Sequence, residues 1–368
     1  MNLMKVKWFS FVSVLFLLSG CAGTPTLPRL FWPPPPEQPR LEFIGAYSAV
    51  EDFPKTAGQR FTEKLTGQQV VPAFKTPFGI ASDGKGTVYV SDLHDRNLRV
   101  VDMNASTIEY FTKEFLFLTP LGMTMDSRGN LYVADGAKEK VFVFGPGKQP
   151  LFTFGTPETI SKPAYLAINE KLGRIYVSDG EGHRVVVYDL EGKHLFSFGG
   201  RGEGDGELYA PQGLAIDRDG KVFVADMFNA RIQVFDPEGK FLSKFGQRGD
   251  QIWQFDRPKA LAFDSEDHLY VLDSRKSAII IYDKAGKLML TTGTGNPSTH
   301  KMGFGMPASI FIDANDRIYV ADSLNKRFSV WQYLSQAYLA KHPVTDQDRA
   351  DLLRYVEESK KQNSGSKK

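Results

Sequence analysis

The chain has 368 residues and a formal net charge of +2, with 45 basic and 43 acidic residues and one cysteine. The length allows two ordinary domains or one large all-β unit, and 34 glycines, 21 prolines and an aromatic fraction of 12% favour many short strands joined by tight turns. A charge so close to neutral disfavours nucleic-acid binding, because proteins bind phosphates through strongly basic surfaces.

The N-terminal segment has the pattern of an export signal. Lys5 and Lys7 precede an apolar run over residues 8–18, and small residues follow it. The run is about half of the ~20 residues that span a bilayer, so residues 1–20 are predicted to be a cleaved signal peptide rather than a membrane helix. Because this segment holds two lysines and no acidic residue, the mature chain has 43 basic and 43 acidic residues.

Cys21 directly follows this segment and completes the sequence LSGC. The tetrad resembles the lipobox of bacterial lipoproteins, and the resemblance implies that Cys21 becomes a lipid-modified N-terminus that attaches the protein to a membrane. Ala22 stands where such lipoproteins carry an aspartate for inner-membrane retention, which favours the outer membrane of a diderm bacterium. Residues 21–40 are predicted to be a proline-rich linker, with residues 33–36 a polyproline spacer.

A sequence motif follows that occurs six times, and its copies align on an aspartate. The aligned residues are Asp92, Asp135, Asp179, Asp226, Asp273 and Asp322, at intervals of 43, 44, 47, 47 and 49 residues. A proline starts a short apolar run about 15 residues before each of them, so two independent markers share one period. Between residues 211 and 246 one period reads as four strands separated by tight turns.

Four antiparallel strands in each of six periods predict a six-bladed β-propeller over residues 41–333, because isolated blades would leave both of their faces in water. The sixth repeat supplies three strands only, and residues 41–47 (LEFIGAY) form an orphan strand before the first repeat. We expect this N-terminal strand to be the outermost strand of the last blade, which closes the ring and hides both edges. Residues 48–76 then form an insertion before the first blade.

The fourth repeat, PQGLAIDRDGKVFVADMFNARIQVFD, resembles an NHL repeat, and the sixth keeps ADSLNKRFSVW. The second and fifth repeats depart from the family at residues 138–140 and 276–278, where NHL repeats have N-x-R. The resemblance covers about residues 41–333 and implies the six-bladed NHL propeller fold. It leaves the activity open, because this fold hosts lyases, sensors, RNA-binding modules and assembly scaffolds.

A catalytic site in a ring of similar blades has to break the ring's symmetry. The six strand-ending aspartates occur in every repeat, so they are predicted to cap backbone N–H groups rather than to catalyse a reaction. The innermost strands are apolar or small throughout, and the six histidines are scattered, with His94 and His300 the only candidates near the blade entrances. The sequence therefore predicts no metal site and no cofactor, and disfavours an enzyme.

The variable loops are the expected place for a partner. In an up-and-down blade the loop after each strand-ending aspartate shares one face with the connections between blades, and we name this the loop face. Long connections lie at residues 201–210, 248–257 and 294–306, and the insertion at 48–76 should cover the same face. The candidate partner-binding residues are Phe78, Arg201, Tyr209, Arg248, Trp253, Lys259 and Arg275.

Residues 334–368 follow the ring. Thr345 and Asp348 predict a helix N-terminus, Ala350, Leu353 and Val356 predict an apolar helix face docked on the propeller, and the basic tail is expected to be disordered.

The resulting hypothesis is a lipid-anchored envelope propeller that binds or assembles another protein. Similar proteins occur in bacteria with extracellular electron-transfer systems, so a redox complex is one candidate partner, although the chain has no C-x-x-C-H haem motif. The alternatives are a metal-dependent propeller lyase or lactonase, and a receptor for a peptide, a glycan or a small ligand.

Overall fold

The computed structural model describes residues 28–54, 73–114, 116–283, 285–293 and 295–365. The predicted signal peptide, Cys21, most of the insertion at 48–76 and the last three residues lie outside this part of the chain. Six sheets arranged as the blades of a propeller contain the described strands, and this confirms the predicted fold.

The strands begin with β1 (Leu30–Trp32) and β2 (Leu41–Tyr47), which belong to the last blade. The first blade contains β3 (Pro77–Ser82), β4 (Thr87–Asp92), β5 (Asn97–Asp102) and β6 (Thr107–Tyr110). The second contains β7 (Pro120–Met125), β8 (Leu131–Asp135), β9 (Lys140–Phe144) and β10 (Pro150–Phe154). The third contains β11 (Pro163–Asn169), β12 (Arg174–Asp179), β13 (Arg184–Asp189) and β14 (His194–Gly199).

The fourth blade contains β15 (Pro211–Ile216), β16 (Val222–Asp226), β17 (Arg231–Phe235) and β18 (Phe241–Phe245). The fifth contains β19 (Pro258–Phe263), β20 (Leu269–Asp273), β21 (Ala278–Tyr282) and β22 (Leu288–Gly293). The sixth adds β23 (Pro307–Ile312), β24 (Arg317–Asp322) and β25 (Arg327–Tyr333) to the two N-terminal strands. Helices α1 (Gln336–Lys341) and α2 (Asp346–Gly365) follow the ring.

Each blade buries its two middle strands on both faces. All five residues of β16 are buried, whereas in β18 at the rim the three central residues are exposed and the two end residues are partly buried. Neighbouring blades share apolar clusters, so the core is a series of layers between blades. The innermost strands approach closely, and a Cβ atom on Gly213 would lie 2.6 Å from the Cα of Ala260 in the next blade.

Residues 41–47 close the ring as predicted, but they are not the outermost strand of the last blade, because β1 pairs outside them. β2 pairs antiparallel with β25 from Leu41 opposite Tyr333 to Tyr47 opposite Phe328, so the first and last parts of the ring share one sheet. The flanks of the insertion before the first blade pack on this closure, since Phe53 and Phe74 are buried in the cluster that contains Tyr47.

The predicted linker at residues 21–40 is not wholly a linker. Residues 30–32 form β1, which pairs antiparallel with β2 and gives the last blade a fifth strand. Phe31 is only 1% exposed, and the Trp32 indole N–H donates to the Thr291 carbonyl oxygen of the fifth blade at 2.9 Å. Residues 33–36 therefore lie in the connection between two paired strands, and the expectation of a free polyproline spacer there is wrong.

The C-terminal helix begins with the predicted reciprocal cap. The Thr345 backbone N–H donates to Asp348 Oδ2 at 2.8 Å, and the Asp348 N–H donates to Thr345 Oγ1 at 3.1 Å. The predicted apolar face is wrong at two of its three residues, because Ala350 and Leu353 are exposed and Leu352 is buried against the last blade instead. Val356 packs on the same cluster, as predicted. The helix continues to Gly365, into the stretch expected to be disordered.

An ion-pair network joins the two ends of the described chain. The Arg29 guanidinium donates to both carboxylate oxygens of Glu42 at 2.8 Å and to Asp348 Oδ2 at 3.4 Å. The N-terminal strand and the C-terminal helix are thus held together at the outer edge of the last blade. Within the described residues, no helix has the length and apolar character needed to cross a membrane.

Candidate partner-binding face

The strand-ending aspartates build the loop face. Asp92 is fully buried and accepts hydrogen bonds from the backbone N–H groups of Lys75 at 2.7 Å and Thr76 at 3.1 Å. It also accepts from His94 N at 3.0 Å, so one carboxylate binds the connection before the blade and the loop within it. The other five aspartates are buried and bind backbone N–H groups in the same way.

One carboxylate of this set also holds a buried cation. Asp226 Oδ2 accepts from Arg231 Nε at 2.7 Å and from Asn229 Nδ2 at 2.9 Å. The same guanidinium donates to the carbonyl oxygens of Glu203, Gly204 and Glu207, and so fixes the connection between the third and fourth blades. Charge-assisted bonds of this kind are about twice as strong as neutral ones, which makes this connection a rigid part of the surface.

The central channel is filled near its mouth on the loop face. Tyr165 extends from the third blade across the axis, and its hydroxyl donates to the Ala308 carbonyl oxygen of the opposite blade at 2.5 Å. Burial raises the pKa of this phenol, which is therefore neutral at physiological pH. The repeat offered a signal for this residue, because Gly79, Gly122 and Gly213 occupy the equivalent position in three other blades.

Lys259 lies at the same mouth, above Phe78. Its Nζ atom is 4.4 Å from the centroid of the Phe78 ring, so two of the predicted residues meet across the axis from the fifth and first blades. Burial, aided by the nearby positive charge of Arg257, lowers the pKa of the Lys259 ammonium to about 8. Lys259 forms no ion pair with any carboxylate in the described part of the chain.

A second predicted pair lies between the third and fourth blades. The Arg201 guanidinium stands 5.3 Å from the centroid of the Tyr209 ring, a cation–π arrangement. Tyr209 in turn packs edge-to-face on His183 at 5.3 Å and on Phe228 at 5.2 Å. Phe228 is 43% exposed and was not among the predicted residues, although it lies in the loop of the best-conforming repeat.

Arg248 and Arg275 continue this surface. Arg248 donates to Asp256 Oδ1 at 3.1 Å and to the Phe228 carbonyl oxygen at 2.8 Å. Arg275 lies 3.4 Å from the other oxygen of Asp256, so one carboxylate positions both guanidinium groups. Both arginines remain more than half exposed and can reach a partner.

Trp253 supplies an exposed apolar element beside the arginines. It is 44% exposed and its neighbour Ile252 is 62% exposed. The connection that carries them is held against the fifth blade, because the Tyr282 hydroxyl donates to the Trp253 carbonyl oxygen at 2.9 Å and Phe255 is fully buried. Exposed large apolar residues on a rigid loop are typical of partner-binding surfaces.

The predicted residues therefore fall into two groups. Arg201, Tyr209, Arg248, Trp253 and Arg275 lie on the loops of the fourth and fifth blades and of the connections that flank the fourth, and we name them with Phe228 and Ile252 the basic-aromatic sector. Phe78 and Lys259 lie at the channel mouth. Among the described residues no group of three His, Cys, Asp or Glu side chains has the geometry to hold a metal ion.

Comparisons with known proteins support the fold. A family described as "6-bladed beta-propeller" matches residues 217–294. No curated protein matches the sequence.

Solved structures share the architecture at low identity. A structural genomics protein of unknown function from Bacteroides thetaiotaomicron is 15% identical with a TM-score of 0.61, covering 80% of this chain and 75% of its own. Virginiamycin B lyase from Staphylococcus aureus is 14% identical with a TM-score of 0.54, covering 71% of this chain and 96% of its own. A gluconolactonase from Xanthomonas campestris is 16% identical with a TM-score of 0.54, covering 71% and 86%. At such identities these likenesses concern the fold alone.

Proposed function

We propose that the protein is a binding or assembly platform for another protein, which docks on the loop face at the basic-aromatic sector. The observation that carries this proposal is the combination of exposed Phe228, Ile252 and Trp253 with three exposed arginines on rigidly held connections. A few residues contribute most of the binding free energy in protein interfaces, and tryptophan, tyrosine and arginine are enriched among them. None of these residues has a role in closing the ring.

The charge of the sector is not uniform, since residues 201–210 carry Arg201 and three acidic side chains. Residues 246–259 and 274–277, around Arg248, Trp253 and Arg275, carry five basic side chains, Lys259 of the channel mouth included, and two acidic ones, and one of the acids, Asp256, is already paired with two arginines. A partner with an acidic surface around an apolar centre would complement this charge and associate faster at low salt. Acidic redox proteins of the cell envelope are one class with this chemistry.

We further propose that the protein is exported and lipid-anchored through Cys21, on the sequence pattern given above. The nine residues from Cys21 to the start of β1 span at most about 30 Å. The outer edge of the last blade would then lie next to the membrane, with the C-terminal helix. Mass spectrometry of the mature N-terminal peptide tests this, and a Cys21→Ser variant should move to the soluble fraction; an unmodified N-terminus on membrane-bound protein would contradict it.

The alternative of a metal-dependent lyase or lactonase has the propeller fold in its favour. Against it stand the Tyr165 side chain, which occupies the axis where such chemistry would need space, and the absence of a three-ligand cluster among the residues described. Metal analysis of the purified protein, together with lactonase assays with and without a chelator, separates the two hypotheses. Stoichiometric metal and a chelator-sensitive activity would favour the enzyme.

Capture from envelope fractions tests the platform when it compares two charge-matched double variants. Arg248→Glu/Arg275→Glu reverses the sector, and Lys193→Glu/Lys240→Glu makes the same charge change in two turns on the opposite face, where both lysines are exposed. We expect a protein that copurifies with the wild type and the control but not with the sector variant. The affinity of the purified partner for the purified sector variant should then be at least about tenfold lower than its affinity for the wild type. Equal capture by both variants would refute the proposed surface.

A further inference from the structure

The face opposite the loop face, which we name the turn face, carries a cavity. It has a volume of about 530 Å³ and lies among the turns that follow the innermost strands of the third, fourth and fifth blades. Its walls include the apolar side chains Ile168, Ile216 and Phe263, each only partly buried. Ligand sites of small molecules are typically about 300–1,000 Å³ in volume and mostly apolar with a few polar groups.

The repeat is broken at this cavity. Three residues before the strand-ending aspartate, five blades have a tyrosine, and the fourth has Phe223. In the second, fifth and sixth blades this tyrosine donates its hydroxyl hydrogen to the aspartate of the turn, at O···O distances of 3.4, 3.1 and 3.0 Å. Phe223 has no hydroxyl, so Asp217, the turn aspartate of the fourth blade, lacks this partner.

Among the described residues, Asp217 is consequently the one acidic residue of the cavity wall without a side-chain partner. Its donors are backbone N–H groups, with Lys221 N at 2.8 Å, and no side chain of the described residues donates to it. The other acids are occupied: Glu170 by Ser127, Asp264 by His268 and Tyr270, Asp267 by Arg218 and Asp219 by Lys221. Burial raises the pKa of Asp217, as expected for a carboxylate with too few donors.

The charge of the wall selects the ligand. Five acidic and two basic side chains line the cavity, so its potential favours a cation. Its volume and apolar walls fit a compact hydrocarbon body. An amine on such a body would supply the hydrogen-bond donors that Asp217 lacks and would place its apolar part between Ile168 and Phe263.

We propose that this cavity binds a small organic cation, an amine on an apolar body, with the Asp217 carboxylate as its counter-ion. The site is independent of the platform function, since it lies on the other face of the ring. The substitution of phenylalanine for tyrosine in the fourth blade leaves the carboxylate free for this ligand.

Titration of the full chain with 2-phenylethylamine, followed by ligand-observed NMR, tests the proposal. The uncharged 2-phenylethanol, which has the same size, and the slightly larger anionic 3-phenylpropionate serve as comparison probes. Three variants distinguish the effect of the Asp217 charge and of its missing hydrogen-bond donor from a general effect of changing a turn aspartate. Asp217→Asn removes the charge, Phe223→Tyr supplies the missing internal donor, and Asp189→Asn changes an aspartate that accepts similar turn bonds outside the cavity, from Glu191 N at 3.1 Å and Lys193 N at 2.8 Å.

We expect the wild type and Asp189→Asn to bind the amine with equal affinity, and Asp217→Asn and Phe223→Tyr to bind it at least about tenfold more weakly. The alcohol and the carboxylate should bind the wild type more weakly than the amine. Phe223→Tyr should keep or raise the melting temperature, which shows that its loss of binding is not a loss of fold. No saturable binding of the amine up to about 10 mM, or equal binding by all variants or all probes, would overturn the proposal.

Discussion

The N-terminal strand makes a sharp prediction about stability. Phe31 is 1% exposed in a cluster with Phe43 and Trp331, and the Arg29 guanidinium lies 4.9 Å from its ring centroid. Truncation of a buried phenylalanine to alanine costs about 3–5 kcal/mol, because it removes apolar contact and leaves a cavity. For roughly 300 folded residues the unfolding entropy is about 0.6 kcal/mol/K, so Phe31→Ala should lower the melting temperature by about 5–8 °C.

Circular dichroism of the mature chain against temperature, with urea unfolding beside it, measures this change. The matched control is Ile44→Ala on the neighbouring strand, where the side chain is 44% exposed and the expected cost is below about 1 kcal/mol. A protein that begins at residue 41 should lose at least as much stability as Phe31→Ala, and one that begins at residue 28 should lose little. If the shorter protein melts at the same temperature as the longer one, the assignment of β1 to the last blade is wrong.

Three further experiments test the ring and its attachments. Asp226→Ala should lower the free energy of unfolding by about 3–5 kcal/mol, because it leaves the buried Arg231 guanidinium without its carboxylate. Asp135→Ala removes an acceptor of backbone N–H groups only and should lower it by about 1–3 kcal/mol. Urea unfolding of both variants measures the difference. Lys259→Met should raise the free energy of unfolding by about 2 kcal/mol at pH 7, since burial disfavours the charged amine. The gain should shrink as the pH rises from about 8, the pKa of Lys259 in the folded protein, to about 10.5, its pKa in the unfolded chain. A gain that does not depend on pH would contradict this. Leu352→Ala should lower the melting temperature while Leu353→Ala leaves it unchanged, and the reverse order would restore the sequence-based helix face.

The sequence was sufficient for the ring because two markers report one blade from different strands. The proline starts the innermost strand and the aspartate ends the second strand, and the structure pairs them directly, as in Pro211 opposite Asp226. Strand number and closure follow from such pairs. The fifth strand of the last blade has no such marker. It has only three residues, which are too few to show the alternation of apolar and polar side chains typical of a strand. Its partner, β2, also takes its position only when the ring closes.

The candidate sites could be predicted only in part. Arg201, Arg248 and Arg275 could be predicted because they lie where the repeat is irregular. The contacts of Arg248 with Phe228 and of Arg248 and Arg275 with Asp256 depend on loop conformations that no periodicity encodes. Single residues that differ from the repeat pattern inside the strands indicate functional positions more clearly than the loop sequences do. A tyrosine at a glycine position in the third blade and a phenylalanine at a tyrosine position in the fourth both mark positions where the structure differs from sixfold symmetry.

The two proposed binding sites lie away from the chain termini. The two ends of the described chain meet at the outer edge of the last blade, where Arg29 binds Glu42 and Asp348. The basic-aromatic sector and the acidic cavity lie on opposite faces of the third to fifth blades. If Cys21 anchors the last blade to a membrane, both faces of those blades remain accessible to solvent, because the anchored edge is one to three blades away around the ring. A ring that is attached at one blade can therefore bind a protein on its loop face and a small cation on its turn face at the same time, and neither ligand has to displace the other.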